Sequence, residues 1–315
     1  MTTVAETSVS SLAHPRLGTE GLGLEPPPMP RIFIRRPTGA LAPFVDTIWY
    51  FTSCSFGHER ERILPTGAMQ LLVNLEEDEL RTYHGPTYQQ VERLPGAALS
   101  GTYRGHFAID TAEQRSIAGV AFRSGGAFPF FREPADEVAG AHVELGALWG
   151  GGGATLRERL LEAGPSPVGA GGAKGPQAIL DTLERELLAR AVRPLASDPT
   201  LEFAVSAFDR GATVAAVLSR IGGSSRRFLR AFAERVGLTP KRFERIRRFR
   251  RVVDSIELGR PVSWAQVALA CGYYDQAHLI NDFREFSGIT PTEYAPRSYG
   301  DRSHVPLRDE TSVLD

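Results

Sequence analysis

A few arginine and amide side chains in the C-terminal third have the types and spacing needed to recognise DNA bases. Arg226 and Arg230 are four residues apart, so a helix places them on one face. Arginine forms paired hydrogen bonds with guanine O6 and N7. Gln276 and Asn281 offer amide groups that suit adenine N6 and N7 in the same way. These residues predict reading of the DNA major groove, and a solvated helix surface is the alternative for each of them.

Two copies of one motif must position these side chains. Five residues recur at a separation of 51 positions, which indicates a tandem pair rather than a solenoid. The recurring residues are Phe232, Gly237, Thr239, Pro240 and Phe243 in the first copy and Phe283, Gly288, Thr290, Pro291 and Tyr294 in the second. Each copy is predicted to fold as a helix, a tight turn containing glycine, and a second helix, which is the helix-turn-helix pattern.

The second helix of each copy begins at a recognisable cap. Ser224 and Asp275 are the predicted N-caps, and Gly237 is predicted to end the helix of the first copy. The residues Thr290 to Glu293 form a capping box with proline at the first helical position, so a further helix is expected there.

A long helix from Pro240 to about Leu258 is predicted to join the two units. Its buried stripe is predicted to be Phe243, Ile246, Phe249, Val253 and Ile256. Its other face is basic and carries Lys241, Arg242, Arg245, Arg247, Arg248, Arg250 and Arg251. Contact with DNA phosphates and simple solvation of these cations are both open.

The segment from about residue 203 to 298 resembles the tandem helix-turn-helix domain of AraC-type transcription regulators. The residues Ala268 to Tyr294 carry nearly the whole signature of that family, although the family usually has arginine where Asn281 stands. The resemblance implies sequence-specific binding of double-stranded DNA, with RNA polymerase, a small-molecule effector and a second copy of the chain as candidate partners. The predicted DNA-binding residues are Ser225, Arg226, Arg227, Arg230, Lys241, Arg242, Gln276, His278 and Asn281.

The N-terminal part resembles a β-rich domain of uncharacterised role that occurs on a subset of AraC-type regulators. The matching pieces include the stretches 62–67, 71–74 and 119–127. The resemblance implies a sensing or dimerisation module and says nothing of its ligand. The apolar stripe Ile179, Leu183 and Leu187 is predicted either to pair two copies or to pack on its own domain.

The charge distribution fits a polyanion-binding module attached to an acidic one. Residues 201–300 hold 16 Lys and Arg against 10 Asp and Glu, whereas the whole chain has a net charge of −1. No run of about 18 apolar residues and no signal-peptide pattern occurs, so a cytoplasmic protein without a membrane span is expected. The two cysteines, Cys54 and Cys271, predict neither a disulfide framework nor a thiolate metal site, and Cys271 is expected in the core.

The expected fold class is α+β. Four β-rich stretches, 45–51, 68–75, 99–109 and 116–122, predict an antiparallel barrel or sandwich, followed by short helices at 143–149 and 155–162 and a helix from about 179 to 192. An all-α domain with two helix-turn-helix units joined by the long helix follows. The expected divisions are a disordered N-terminus at 1–30, a β-rich domain with trailing helices at 31–192, a flexible loop at 164–176, the DNA-binding domain at 200–298 and a tail at 299–315.

An enzyme carrying an accessory DNA-binding domain and a non-specific architectural DNA binder are the competing interpretations. His58, His84, His106 and His142 are scattered without metal-ligand spacing, and neither a phosphate-binding loop nor a nucleophile elbow occurs. No catalytic residue, metal or cofactor is therefore predicted. The aromatic residues Trp49, Tyr50, Phe51, Phe107, Phe122, Phe130 and Phe131 are predicted to pack the core, with an apolar ligand pocket as the alternative.

Overall fold

The structure is a computed structural model that describes residues 5–8, 30–53, 56, 58–164, 175–257, 260–298 and 301–307. The strands are β1 Ala5–Ser8, β2 Arg31–Arg35, β3 Val45–Thr52, β4 Arg60–Ile63, β5 Gln70–Asn74, β6 Leu80–His84, β7 Gln90–Leu94, β8 Ala97–Ser100, β9 Phe107–Asp110, β10 Ser116–Phe122, β11 His142–Glu144 and β12 His304–Pro306. The helices are α1 Leu145–Trp149, α2 Gly151–Ala154, α3 Leu156–Ala163, α4 Pro176–Ala189, α5 Pro199–Asp209, α6 Val214–Ile221, α7 Ser225–Val236, α8 Pro240–Ser255, α9 Trp264–Ala270 and α10 Gln276–Ser287.

The N-terminal domain consists of two antiparallel sheets. One has the strand order β1-β2-β3-β10-β5-β8-β11 and the other the order β12-β4-β9-β6-β7. Along β3 the side chains alternate as a strand requires: Ile48 and Tyr50 enter the large core, whereas Trp49 and Phe51 belong to a smaller apolar cluster. The predicted α+β class, with an antiparallel β-rich domain before a helical one, is confirmed.

Helix α4 covers the large core of the β-rich domain. Ile179, Leu183 and Leu187 are at most 2% exposed and pack in that core, whereas Leu188 is 43% exposed. The stripe is therefore used within its own domain, which was one of its two predicted roles. The helix begins with proline at its first position and ends at Ala189, earlier than the predicted Val192.

Several strands differ from the sequence-based expectation. The stretch 99–109 is divided between β8 and β9 by a loop, because Gly101 packs directly against the carbonyl of Val138, where a side chain would not fit. The expected helix at 143–149 begins only at Leu145, since His142–Glu144 pairs with β8. Most of the predicted disordered segment 1–30 and flexible loop 164–176 lies outside the described residues. Within them, Ala5–Ser8 pairs with β2, a strand that would otherwise be the edge of its sheet.

The two helix-turn-helix units repeat in the structure as they do in the sequence. Helices α7 and α10 each contain 12 residues, and each ends at a glycine in the left-handed conformation. The side chains of Ser224 and Asp275 accept the predicted capping hydrogen bonds from the backbone N–H groups of Arg227 and His278. All five residues of the predicted stripe are at most 5% exposed, and four of them lie in α8, while Ile256 is its C-cap.

Two further helical predictions are corrected, and one helix was not predicted. Helix α8 ends at Ser255 rather than near Leu258. The capping box at Thr290 forms, with the Thr290 N–H donating to Glu293 Oε2 over 2.7 Å, but a turn follows instead of a helix. Helix α5 was not foreseen, although Asp198 and Pro199 provide an N-cap and a proline at the first helical position.

Within the described residues, none of the helices is long and apolar enough to cross a membrane. Within the same ranges, no group of three or more His, Cys, Asp or Glu side chains is placed to hold a metal ion. Cys271 is a free thiol that is 6% exposed, in the core position expected for it.

Candidate nucleic-acid interface

The N-terminal half of α7 presents a free basic surface. Ser225, Arg226 and Arg227 are exposed, and neither arginine forms an ion pair with another described residue. The side chain of Arg230 is 81% exposed and donates from Nε to Glu234 Oε1 over 2.6 Å. The helix is held by Phe228 and Phe232, which are buried in the helical core. The predicted residues of this unit therefore lie on one solvent-facing surface.

The same surface of α10 is more polar than basic. Gln276 and Asn281 are exposed, as predicted. His278 is half-buried rather than exposed, because its ring packs against Tyr273 at 5.0 Å and its Nε2 lies 3.4 Å from Arg248 Nη2. The structure thus gives His278 internal contacts in addition to its place beside the exposed face.

Two exposed residues near this surface were not selected from the sequence. Tyr274 is 88% exposed and directly precedes the cap of α10. Arg284 is exposed and follows Ala277 and Asn281 at the i, i+4, i+7 spacing of one helix face. That spacing was a usable signal for Arg284, whereas an exposed tyrosine before a cap leaves no periodic signal.

Most of the basic face of α8 is occupied by internal partners. Arg245 donates to Asp282 Oδ1 over 2.6 Å and also pairs with Glu285, while Arg248 donates to Asp282 Oδ2 over 3.0 Å. Burial alone would raise the pKa of Glu285, but the hydrogen bonds from Arg245 and Arg242 hold that pKa below its ordinary value. These arginines therefore attach α10 to the long helix.

The two predicted phosphate contacts at the start of α8 differ in availability. Lys241 has a side chain that is 67% exposed and lies 3.2 Å from Glu244 Oε2. Arg242 is 21% exposed, pairs with Glu285, and donates to the backbone carbonyl of Arg104 in the β-rich domain. Lys241 can reach a phosphate without breaking an interdomain contact, but Arg242 cannot.

We call α7 and α10, the second helices of the two helix-turn-helix units, the recognition helices. The β-rich domain contacts them at their C-terminal ends. The N–H of Ala135 donates to the carbonyl of Glu234 over 2.8 Å, in the last turn of α7. The ring of His106 packs against Gly288, which ends α10. We call the exposed residues at the opposite ends the reading face. It consists of Ser225, Arg226, Arg227, Leu229 and Arg230 of α7 and Gln276, Ala277 and Asn281 of α10.

Comparison with known families agrees with this geometry. Residues 217–297 match a family model described as a helix-turn-helix domain. The chain carries an AraC-type helix-turn-helix domain. Residues 34–144 match a second model, described as a domain of unknown function (DUF6597). Both resemblances identified from the sequence are therefore confirmed.

Solved structures that match part of this chain include ToxT from Vibrio cholerae. One ToxT structure has 10% sequence identity and a TM-score of 0.40, covering 75% of this chain and 93% of that chain. An unsaturated fatty acid-bound wild-type ToxT from strain SCE256 has 9% identity and a TM-score of 0.40, covering 75% and 90%. No curated protein matches the chain.

Proposed function

We propose that this protein is a sequence-specific DNA-binding transcription regulator that reads two adjacent major-groove segments. The observation that carries the proposal is the orientation of α7 and α10. Their N-terminal halves are exposed and form the reading face, while their C-terminal turns rest on the β-rich domain. In a helix-turn-helix protein, the N-terminal residues of the second helix contact base edges.

The long helix supports recognition of two segments on one side of a duplex. Helix α8 has 16 residues and is therefore about 24 Å long at 1.5 Å per residue. One turn of B-DNA is about 34 Å long. The length of α8 together with the widths of the two helices that it joins is similar to this distance, so α7 and α10 can enter successive major grooves. Arg245 and Arg248 attach α10 to α8, which limits movement of the second helix-turn-helix unit relative to the first.

The two recognition helices offer different chemistry to the bases. On α7, Arg226 and Arg230 suit guanine, whereas on α10 Gln276 and Asn281 suit adenine. Lys241 is the exposed cation available for a phosphate contact at the start of α8. A bipartite site with one guanine-containing segment and one adenine-containing segment follows from this arrangement.

Control by a small molecule in the β-rich domain is part of the same proposal. It is supported by the direct contacts of that domain with the last turns of both recognition helices. RNA polymerase and a second copy of the chain stay predictions from the family resemblance.

The proposal is tested by selecting bound duplexes from a random DNA library with the purified protein. The selected site is then used to compare wild type with Arg226→Ala and Asn281→Ala, each against a scrambled duplex at two salt concentrations. Loss of one good base contact costs about 1–3 kcal/mol, so we expect roughly a 5- to 150-fold weaker affinity for the selected site and little change for the scrambled one.

Arg123→Ala is the matched control, because Arg123 is a 53% exposed arginine on the β-rich domain, away from the reading face. Its affinity should equal that of wild type on both duplexes. If the selection yields no preferred sequence and wild type binds both duplexes alike, the protein is a non-specific DNA binder and the proposal is wrong.

A further inference from the structure

A cavity of about 470 Å³ lies between the two sheets of the β-rich domain. Its apolar wall comes from both sheets and includes Ile32, Trp49, Phe51, Leu72, Phe107 and Ile117. Cavities that hold small molecules have volumes of about 300–1,000 Å³ and are mostly apolar with a few polar groups. Three of the aromatic residues noted in the sequence, Trp49, Phe51 and Phe107, thus line a pocket, while the other four pack the core.

A neutral pair of polar side chains faces this cavity at one end. The hydroxyl of Tyr103 lies 2.5 Å from Nδ1 of His142, and Phe107 packs on the tyrosine ring at 4.3 Å. His142 is 5% exposed, and its burial lowers its pKa to about 3, so the imidazole is uncharged at neutral pH. The pair can exchange a hydrogen bond with a bound molecule without supplying a charge.

Arg297 and His304, which also line the cavity, already have carboxylate partners. Arg297 Nη1 lies 3.0 Å from the carboxylate of Glu61 and 2.6 Å from Gln114 Oε1, and Arg297 also pairs with Asp301. His304 Nδ1 lies 2.7 Å from the same Glu61 carboxylate. The other charged residue of the wall, Asp46, is 54% exposed and lies 3.9 Å from Arg123. Among the described residues of the wall, an anionic ligand would therefore meet no cation without a carboxylate partner, and burial of an unpaired charge is strongly unfavourable.

Tyr103 belongs to the loop that touches both recognition helices. We call residues 102–106 the bridging loop. Thr102 packs against Gly237 at the end of α7, and His106 packs against Gly288 at the end of α10. Between them, the carbonyl of Arg104 accepts a hydrogen bond from Arg242 at the start of α8. Alternate residues of the loop thus contact the helical domain, while Tyr103 lines the cavity.

We propose that the cavity between the sheets binds an uncharged, mostly apolar small molecule, and that the bridging loop transmits its binding to both recognition helices. The regulatory meaning rests on the proposed function, but binding and transmission are properties of the protein alone. A molecule that displaces the Tyr103 ring or hydroxyl must move the backbone between Thr102 and His106. The C-terminal turns of α7 and α10 contact those two residues and move with it.

A larger cleft beside α5, of about 880 Å³, fits this role less well. Charged residues with exposed side chains, including Arg123 and Glu202, stand on its wall, and the bridging loop does not line it. A molecule in that cleft would compete with water around charged groups and would not contact Tyr103.

The ligand class is tested by calorimetric titration with 2-naphthol and with 2-naphthoate, which share one ring system but differ in charge at neutral pH. We expect 2-naphthol to bind and 2-naphthoate to bind at least tenfold more weakly. Tyr103→Phe should weaken 2-naphthol binding about 3- to 10-fold through loss of one hydrogen bond. Tyr50→Phe is the control, since the Tyr50 hydroxyl lies 3.2 Å from Ser116 Oγ and its ring packs in the large core.

Leu72→Trp provides a second variant, because a larger side chain at that wall position fills the cavity and should abolish 2-naphthol binding. The site is overturned if 2-naphthol does not bind up to its solubility limit, or if Leu72→Trp binds it as wild type does. Equal affinity for 2-naphthoate would overturn the assignment of an uncharged ligand.

Transmission is tested without DNA by amide hydrogen exchange with and without 2-naphthol. In wild type we expect altered exchange in the last turns of both α7 and α10. In His106→Ala the response of α10 should disappear while that of α7 remains, because Thr102 still contacts Gly237. A response confined to the β-rich domain would refute the route even if DNA binding is confirmed, and a response in both helices stands even if DNA binding fails.

Discussion

Glu61 shows how a single buried carboxylate can join distant parts of the chain. It is fully buried and contacts His58, His304 and Arg297. Burial alone would raise its pKa, but the hydrogen bonds from His304 and His58 and the charge of Arg297 hold that pKa well below its usual range. The carboxylate therefore stays ionised and fixes the segment after α10 to strand β4.

Glu61→Gln should destabilise the protein by about 3 kcal/mol at pH 7, because it leaves Arg297 and its neighbours without the buried anion. A lowered folded-state pKa means that the stabilisation is fully present above the ordinary glutamate pKa and is lost as pH falls through the lower value. Urea unfolding at pH 7 and pH 3 should show the difference between variant and wild type shrinking in acid. Glu257→Gln, at a 60% exposed position, is the control and should change little.

Buried His106 predicts a second contribution to acid sensitivity, of the same sign but at higher pH. Burial lowers the pKa of His106 to about 4. The ordinary pKa of histidine is about 6.5. Between about pH 6.5 and pH 4 the unfolded chain binds a proton at this position and the folded protein does not, so the free energy of unfolding decreases as pH falls. His106→Gln should reduce the loss of unfolding free energy between pH 7 and pH 5 by on the order of 1–2 kcal/mol. An unchanged pH slope in urea titrations would contradict this assignment.

The surroundings of some predicted DNA-binding residues can be inferred from the local sequence, and those of others cannot. Arg226, Gln276 and Asn281 were predictable, because a cap and a helical period suffice to place an exposed side chain. Arg242 was predictable as a helical residue but not as an interdomain contact. Its acceptor, the Arg104 carbonyl, is 138 residues away in sequence, and no periodic pattern encodes that proximity.

At the scale of elements, the C-terminal turns of α7 and α10 do more than end two helices. Gly237 and Gly288 both have positive φ, as left-handed caps require, and both pack against the bridging loop. Gly272 is a useful comparison, since its φ of 81° nearly equals the 83° of Gly237 but no atom lies within 4 Å of where a side chain would begin.

Gly237→Ala should therefore cost more stability than Gly272→Ala. Both lose about 1 kcal/mol or more through the left-handed backbone. At Gly237 the new methyl group would also overlap Thr102 and lie 2.8 Å from the Ala135 carbonyl, which adds about 1–3 kcal/mol. Thermal unfolding of the two variants measures the difference, and equal losses would show that the docking seen here is not tight in solution.

The helices could be predicted more completely than the strands, for a physical reason. Helix α7 is specified by its own cap, period and terminal glycine, all within a few residues. Strand β4 has charged residues at three of its four positions, and it is a strand because β9 and β12, both distant in sequence, pair with it. The division of 99–109 into two strands likewise depends on the approach of Val138 to Gly101.

At the scale of the whole molecule, the two domains share part of one apolar core. Leu64, which follows β4, and Val305, in β12, are buried in the cluster formed by the helical domain. Gly67 lies against the ring of Phe243, with space for no side chain between them. Arg302 donates to the carbonyls of Val253, Asp254 and Ile256 at distances of 2.7–2.9 Å, and so completes the C-terminal end of α8.

Leu64→Ala should weaken both domains together, because its side chain is 1% exposed and sits in the shared core. Removal of a buried leucine side chain typically costs about 2–5 kcal/mol. Unfolding should remain a single transition when followed separately by far-ultraviolet circular dichroism and tryptophan fluorescence. Leu161→Ala, at a 44% exposed position, should have little effect, and two separated transitions in Leu64→Ala would show that the domains unfold independently.

Leu64 also bears on how such a regulator can diversify. A DNA-binding half transplanted onto a foreign β-rich half would lack the leucine that fills its core and the glycine that admits Phe243. Chimaeras cut between residues 192 and 200 should therefore misfold unless the recipient supplies both. If the proposed function holds, new pairings of signal and target gene are reached by substitutions on the reading face and in the cavity, while the contacts between the two domains are kept.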